Sequence, residues 1–211
     1  MRGSRRVGAV LKRALSPAFS LVLVAGCSAL VDPPKSQTFL IQLDSAVDPN
    51  RAPNKPLAPV YIAPVEVSAP FSERNLVVRQ SELGYVADPY AEFAANPVSM
   101  WTGVIRSWLS ERQLFERVLL IDSSAEADLT LETDLMEAVV DRRTGQPPTS
   151  RLTMHFLLHQ NGPPYQVLLD RTFTHSEPLK GTGAESEVAA LSRAASVVLG
   201  DFEDALARIP H

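Results

Sequence analysis

The apolar positions change period several times along the chain, and each period names an element. From Thr38 to Leu43 they alternate, with Phe39, Ile41 and Leu43 on one side of an extended strand. Residues 44–59 contain four prolines, which remove backbone donors and hold the preceding residues extended, so a surface loop is expected there. A strand over Val60 to Val67 follows, with Val60, Ile62 and Val67 as candidate core residues. Pro64 interrupts it, which predicts an edge strand or a bulge. Leu76 to Arg79 and Gly84 to Ala87 read as a short hairpin that turns over Ser81 to Gly84.

The period then becomes helical. Asn96 is a good N-cap, and Pro97 suits the first helical position, where a missing N–H costs nothing. Val98, Trp101, Val104, Ile105, Trp108 and Leu109 recur at three and four, and both tryptophans on that stripe predict packing against a sheet rather than a ligand platform. Arg117 to Asp122 is a short strand, and Asp128 to Val139 alternates through Leu129, Leu131, Thr133 and Leu135; the two should run close together in the sheet. Arg151 to Gln160 and Tyr165 to Thr174 flank Asn161-Gly162-Pro163-Pro164, where Asn-Gly favours positive φ and the prolines end the pairing. In that hairpin Leu152, Met154, Phe156 and Leu158 share a face, opposed by Val167, Leu169 and Phe173. Thr182-Gly183-Ala184-Glu185 fits a capping box, after which Val188, Leu191, Ala195, Val198, Phe202, Leu206 and Ile209 form the core stripe of a long helix.

The first 26 residues break these patterns. They hold five cations (Arg2, Arg5, Arg6, Lys12, Arg13) and no acid, then the apolar run Ala14 to Val24, then small residues. The run is cut by Pro17 and is too short to cross a bilayer, so residues 1–26 read as a signal peptide. Leu23-Val24-Ala25-Gly26-Cys27 resembles a bacterial lipobox, and Cys27 is the single cysteine of the chain. Alone in an oxidising compartment, Cys27 has no disulfide partner; acylation at its sulfur removes that liability and supplies a membrane anchor. Ser28, with no Asp beside the cysteine, points to the outer membrane on the periplasmic side. Residues 27–36 form a tether and 37–211 one domain, since 211 residues with 45% hydrophobic content make a single core. The net charge of −4 becomes −9 beyond the signal, from 15 Lys plus Arg against 24 Asp plus Glu, which excludes nucleic acid as a partner.

Candidate chemistry is sparse. His155 and His159 stand four apart on a strand, ~13 Å, which is too far to share one metal ion. Of the carboxylates Glu132, Asp134 and Glu137, the first two alternate with Leu131, Thr133 and Leu135 and read as a solvated strand face rather than an acid/base pair. No nucleophile elbow, phosphate-binding glycine loop or H-E-x-x-H is present, so no catalytic residue, metal or cofactor is expected. Tyr85, Tyr90 and Phe93 are candidate partner contacts, with cover for a sheet edge as the competing role.

In order, TFLIQLD at 38–44, VYIAPVEVSAPF at 60–71, LVVRQSELGYVADPYAEFAANPVSMW at 76–101, LFERVLLID at 114–122, ADLTLETDLMEAV at 127–139 and the Ala-rich helix at 184–208 make the chain resemble the ABC-type transport auxiliary lipoproteins. That family includes the PqiC-like components of gene clusters encoding mammalian-cell-entry (MCE) domain proteins. Two departures stand out: Pro97-Val98-Ser99, which changes the surface at the helix entrance, and Gln113 in place of a glycine or serine, which predicts a helix end without a left-handed cap. The resemblance implies an α/β domain, a mixed sheet packed by two main helices. It also implies a noncatalytic partner of an MCE-domain protein, permease and ATPase in lipid transport, and leaves a dimer or ring open. The competing class is an outer-membrane lipoprotein that regulates or scaffolds an envelope enzyme such as a cell-wall synthase.

Overall fold

The computed structural model describes residues 35–43 and 55–209; the signal segment, Cys27 and most of the proline-rich loop lie outside the described residues. The elements are β1 (Gln37–Phe39), β2 (Val60–Ile62), β3 (Glu66–Val67), β4 (Asn75–Arg79), β5 (Tyr85–Phe93), α1 (Pro97–Glu111), β6 (Val118–Leu120), β7 (Leu129–Asp141), β8 (Thr149–Gln160), β9 (Val167–Pro178) and α2 (Ala184–Leu206).

β7 organises the sheet. Along one edge it pairs antiparallel with β8, and β9 continues antiparallel beyond β8. Along the other edge three strands share its length, all parallel: β2 at Leu129–Leu131, β3 at Asp134–Leu135 and β4 at Val139–Asp141. β6 lies outside β2, while β5 and then β1 lie outside β4. The result is the expected α/β domain, a mixed sheet with two main helices.

α2 packs on β7, β8 and β9, and α1 on β3 and β6. The anticipated stripe of α2 is buried throughout, from Val188 to Ile209, and Leu152, Met154, Phe156 and Leu158 face it with no exposed surface. Phe156 and Phe202 stack at 4.1 Å, with Phe173 set edge-on to Phe202. On α1, Asn96 caps as predicted, its Oδ1 accepting from the Val98 N–H at 2.9 Å, and Trp101 and Trp108 are both buried in the core. Val98 and Val104 are only half-buried, and Met100 takes a place on the buried face instead.

Several expectations are corrected. Pro64 splits its strand into β2 and β3, and of its two expected consequences the bulge is the one found: the step from Ile62 to Glu66 is one residue longer than the step from Leu131 to Asp134 on β7, while β2 is no edge, being paired on both sides by β6 and β7. Val65 rather than Val67 becomes fully buried, its N–H donating to Thr102 Oγ1 of α1 at 2.9 Å. β6 and β7 are not neighbours; β2 lies between them. In the β8–β9 turn Gly162 does not adopt positive φ, the Pro163–Pro164 bond is cis, and a register shift after Leu158 leaves Val167 57% exposed. The α2 N-cap is Gly183 at φ 84°, with no side-chain cap, so Thr182 sits one residue too early for a capping box. Gln113 does adopt the left-handed region, at φ 53°. It closes α1 with the Gln113 N–H on Ser110 O and the Leu114 N–H on Leu109 O, both at 3.2 Å, the two bonds of a Schellman end.

Candidate functional site

The outer face of β7, β8 and β9 carries the polar residues that alternate with the core. His155 sits between two carboxylates, Nδ1 3.1 Å from Asp134 and Nε2 2.7 Å from Asp170. The hydrogen bond to Asp170, assisted by Asp134 and opposed by partial burial, raises the His155 pKa above its usual value. With a carboxylate at each ring nitrogen, His155 of β8 ties that strand to Asp134 of β7 and Asp170 of β9. His159 is engaged separately, its Nε2 3.4 Å from Glu132, and Arg151 pairs with Glu137 at 3.7 Å. Sequence alternation placed Glu132 and Asp134 correctly on a solvated face but could not reveal Asp170, which arrives from another strand.

The end of the sheet formed by the β4–β5 turn is built differently. Tyr85 and Tyr90 are exposed, at 44% and 43%, whereas Phe93 is 6% exposed and belongs to the core, which corrects its placement as a surface contact. Leu83, 94% exposed at the turn, and Val86 extend the apolar surface. Neither was singled out in the sequence, although a leucine inside a predicted turn is itself a signal. Beneath them an ion network joins two turns. Arg143 forms a bidentate pair with Asp141 (Nη2–Oδ2 2.8 Å) and reaches Glu82 Oε1 at 2.6 Å, while Glu82 Oε2 meets Arg79 at 3.1 Å. The Arg143 contact depresses the Asp141 pKa.

Two open grooves flank the segment Leu40–Leu43. One, of about 450 Å³, lies against α1 residues such as Met100, Val104 and Trp108; the other, of about 630 Å³, lies against Val188, Ala189 and Ser192 of α2. A third, of about 480 Å³, between α1 and the end of β6, is lined by Ile62, Pro64, Val98 and Ile121. Among the described residues no cluster of His, Cys, Asp and Glu is arranged to hold a metal, and no helix is long and apolar enough to cross a membrane.

This architecture has solved counterparts. Protein XCC0632 from Xanthomonas campestris, a DUF330 protein, superposes with a TM-score of 0.70 at 17% identity, over 80% of this chain and 93% of that one. An uncharacterized protein superposes with a TM-score of 0.62 at 16% identity, over 82% and 98% of the two chains. At these identities the likeness is one of fold. No curated protein matches the sequence. A family model does, that of the ABC-type transport auxiliary lipoprotein component, over residues 39–201. That span runs from the end of β1 almost to the end of α2. The chain therefore belongs to the family of ABC-type transport auxiliary lipoprotein components.

Proposed function

We propose that the protein is a noncatalytic, lipid-anchored component of an MCE-linked ABC-type system that moves lipids or organic solvents, held at the outer membrane through Cys27 and facing the periplasm. The observation that carries this reading is the family match across nearly the whole folded domain. The lipobox-like Leu23 to Cys27 supports the anchor, and Ser28 supports the outer membrane. Each buried methylene of an acyl chain contributes ~0.8 kcal/mol, so more than one chain on Cys27 holds the domain at a bilayer without a spanning helix. Confinement to that layer raises the effective concentration of the domain for an MCE-domain protein, permease and ATPase, and a modest interface then suffices.

Pull-down of tagged protein from native membranes in mild detergent, with Cys27→Ala in parallel and partners identified by mass spectrometry, tests the proposal. Recovery of an MCE-domain protein with its permease and ATPase, weakened in the variant, is expected. A cell-wall synthase recovered in their place overturns it.

A further inference from the structure

We infer that the β4–β5 turn is a membrane-contacting tip: Leu83, with Tyr85 and Val86, sits in the interface of the same bilayer that holds the Cys27 acyl chains. This rests on the anchored reading proposed above and adds an orientation to it.

β1 pairs parallel with β5, Gln37 opposite Ala91, so β1 begins on the side of the first residues of β5, where the β4–β5 turn lies. β4 is parallel to β7 and pairs with its last residues, which puts the β7–β8 turn at this end too. The β8–β9 turn, with exposed Tyr165, lies at the opposite end of β7. The start of β1 points away from that opposite end.

Ten residues, Cys27 to Gln37, span at most ~36 Å. From Ala91 back to Tyr85 along β5 is roughly 20 Å, so that length of chain is sufficient for an anchor at the level of the turn.

Tyr85 and Val86 are consecutive strand residues opposite Arg79 and Val78, so they project to opposite faces of the hairpin, and both are exposed, with Leu83 at the apex. A one-sided protein contact would cover a single face, whereas a hairpin end that dips into the interface is wetted by lipid on both. Tyrosine, apolar in its ring and polar at its tip, suits that depth. Glu82, the carboxylate beside Leu83, is paired with Arg143 and Arg79, so immersion near the headgroups leaves no lone charge there. The same pairs lock the two turns together and present the tip on a fixed support.

The test uses the acylated full-length mature protein in vesicles of phosphatidylethanolamine and phosphatidylglycerol in equal parts, with Leu83→Cys or Tyr165→Cys labelled by an environment-sensitive dye. Acylation blocks the native sulfur, and both positions are exposed, so folding is unaffected. Co-flotation with vesicles is read first, then quenching by lipid-borne nitroxide. The expected result is flotation of both, with the dye at 83 losing most of its emission to the lipid quencher and the dye at 165 keeping it. Flotation without quenching at 83, or equal quenching at both ends, overturns the orientation and leaves the anchor intact. Failure to float overturns the anchor and the orientation together. A blue shift at 83 that lipid nitroxide does not quench means a protein covers the tip, and also overturns the inference.

Discussion

At the residue scale, two positions work against local preference, and each gives a prediction. Gln113 holds the left-handed region that its Cβ disfavours, because the Schellman bonds it completes and the burial of Leu114 beyond it outweigh the strain. Gln113→Gly should raise stability by about 0.5–1 kcal/mol, read as a higher urea midpoint at unchanged slope. Glu187 is fully buried near the start of α2, with Oε1 bound by Arg142 and Oε2 without a partner. Arg142→Ala leaves that carboxylate uncompensated and should cost about 2–3 kcal/mol; a loss under about 0.5 kcal/mol would show that water already solvates the site. Gln113 marks the helix end in the sequence, but a glutamine there predicts no left-handed cap, and the structure has one. Glu187 was not legible, since nothing local distinguishes it from the exposed Glu185 two positions earlier in the same helix.

At the scale of elements, the helices were the most legible part, because a stripe at steps of three and four has few other ways to bury itself. Their ends were less so: Asn96 could be read as a cap, whereas the start of α2 depends on Gly183 and on where the chain leaves β9. Packing outweighs capping in what each helix contributes. Phe202→Ala empties a ring stacked on Phe156 and should cost about 3–5 kcal/mol, while Asn96→Ala should cost about 1 kcal/mol. Chemical denaturation of both variants checks the ranking, and a larger loss from the cap would mean that α1 formation limits stability. A proline inside a strand predicts an edge or a bulge, and only the tertiary pairing chose between them: Pro64 falls in the irregular step between β2 and β3, where Ala63 donates its N–H to Leu131 O and Pro64 itself needs no ladder bond.

At the scale of the whole molecule, the polar face of β7, β8 and β9 makes stability depend on pH. His155 has a raised pKa in the fold, so its contribution is complete below the unfolded value near 6.5 and is lost as pH rises through the folded one. Because Asp170 is 65% exposed, the effect is screened, about 0.5 kcal/mol. Thermal melts across that window should show Asp170→Asn with a flatter profile than the parent; identical profiles would show the tie to be inert. Asp141 acts at the other extreme, its depressed pKa adding stability that disappears as pH falls through its folded value. The sequence alone determined the kinds of element, most of their buried faces, the class of fold and, through Cys27 and its neighbours, the expectation of an anchor, because period, turn chemistry and signal patterns are local. Tertiary structure alone decided that β2 lies between β6 and β7, that Phe93 turns inward while Leu83 and Tyr85 stay out, that Asp170 reaches His155, and that β1 lies parallel to β5. Each of these depends on which distant strand becomes a neighbour. That choice is made by burial summed over the whole sheet, and no window of sequence contains it.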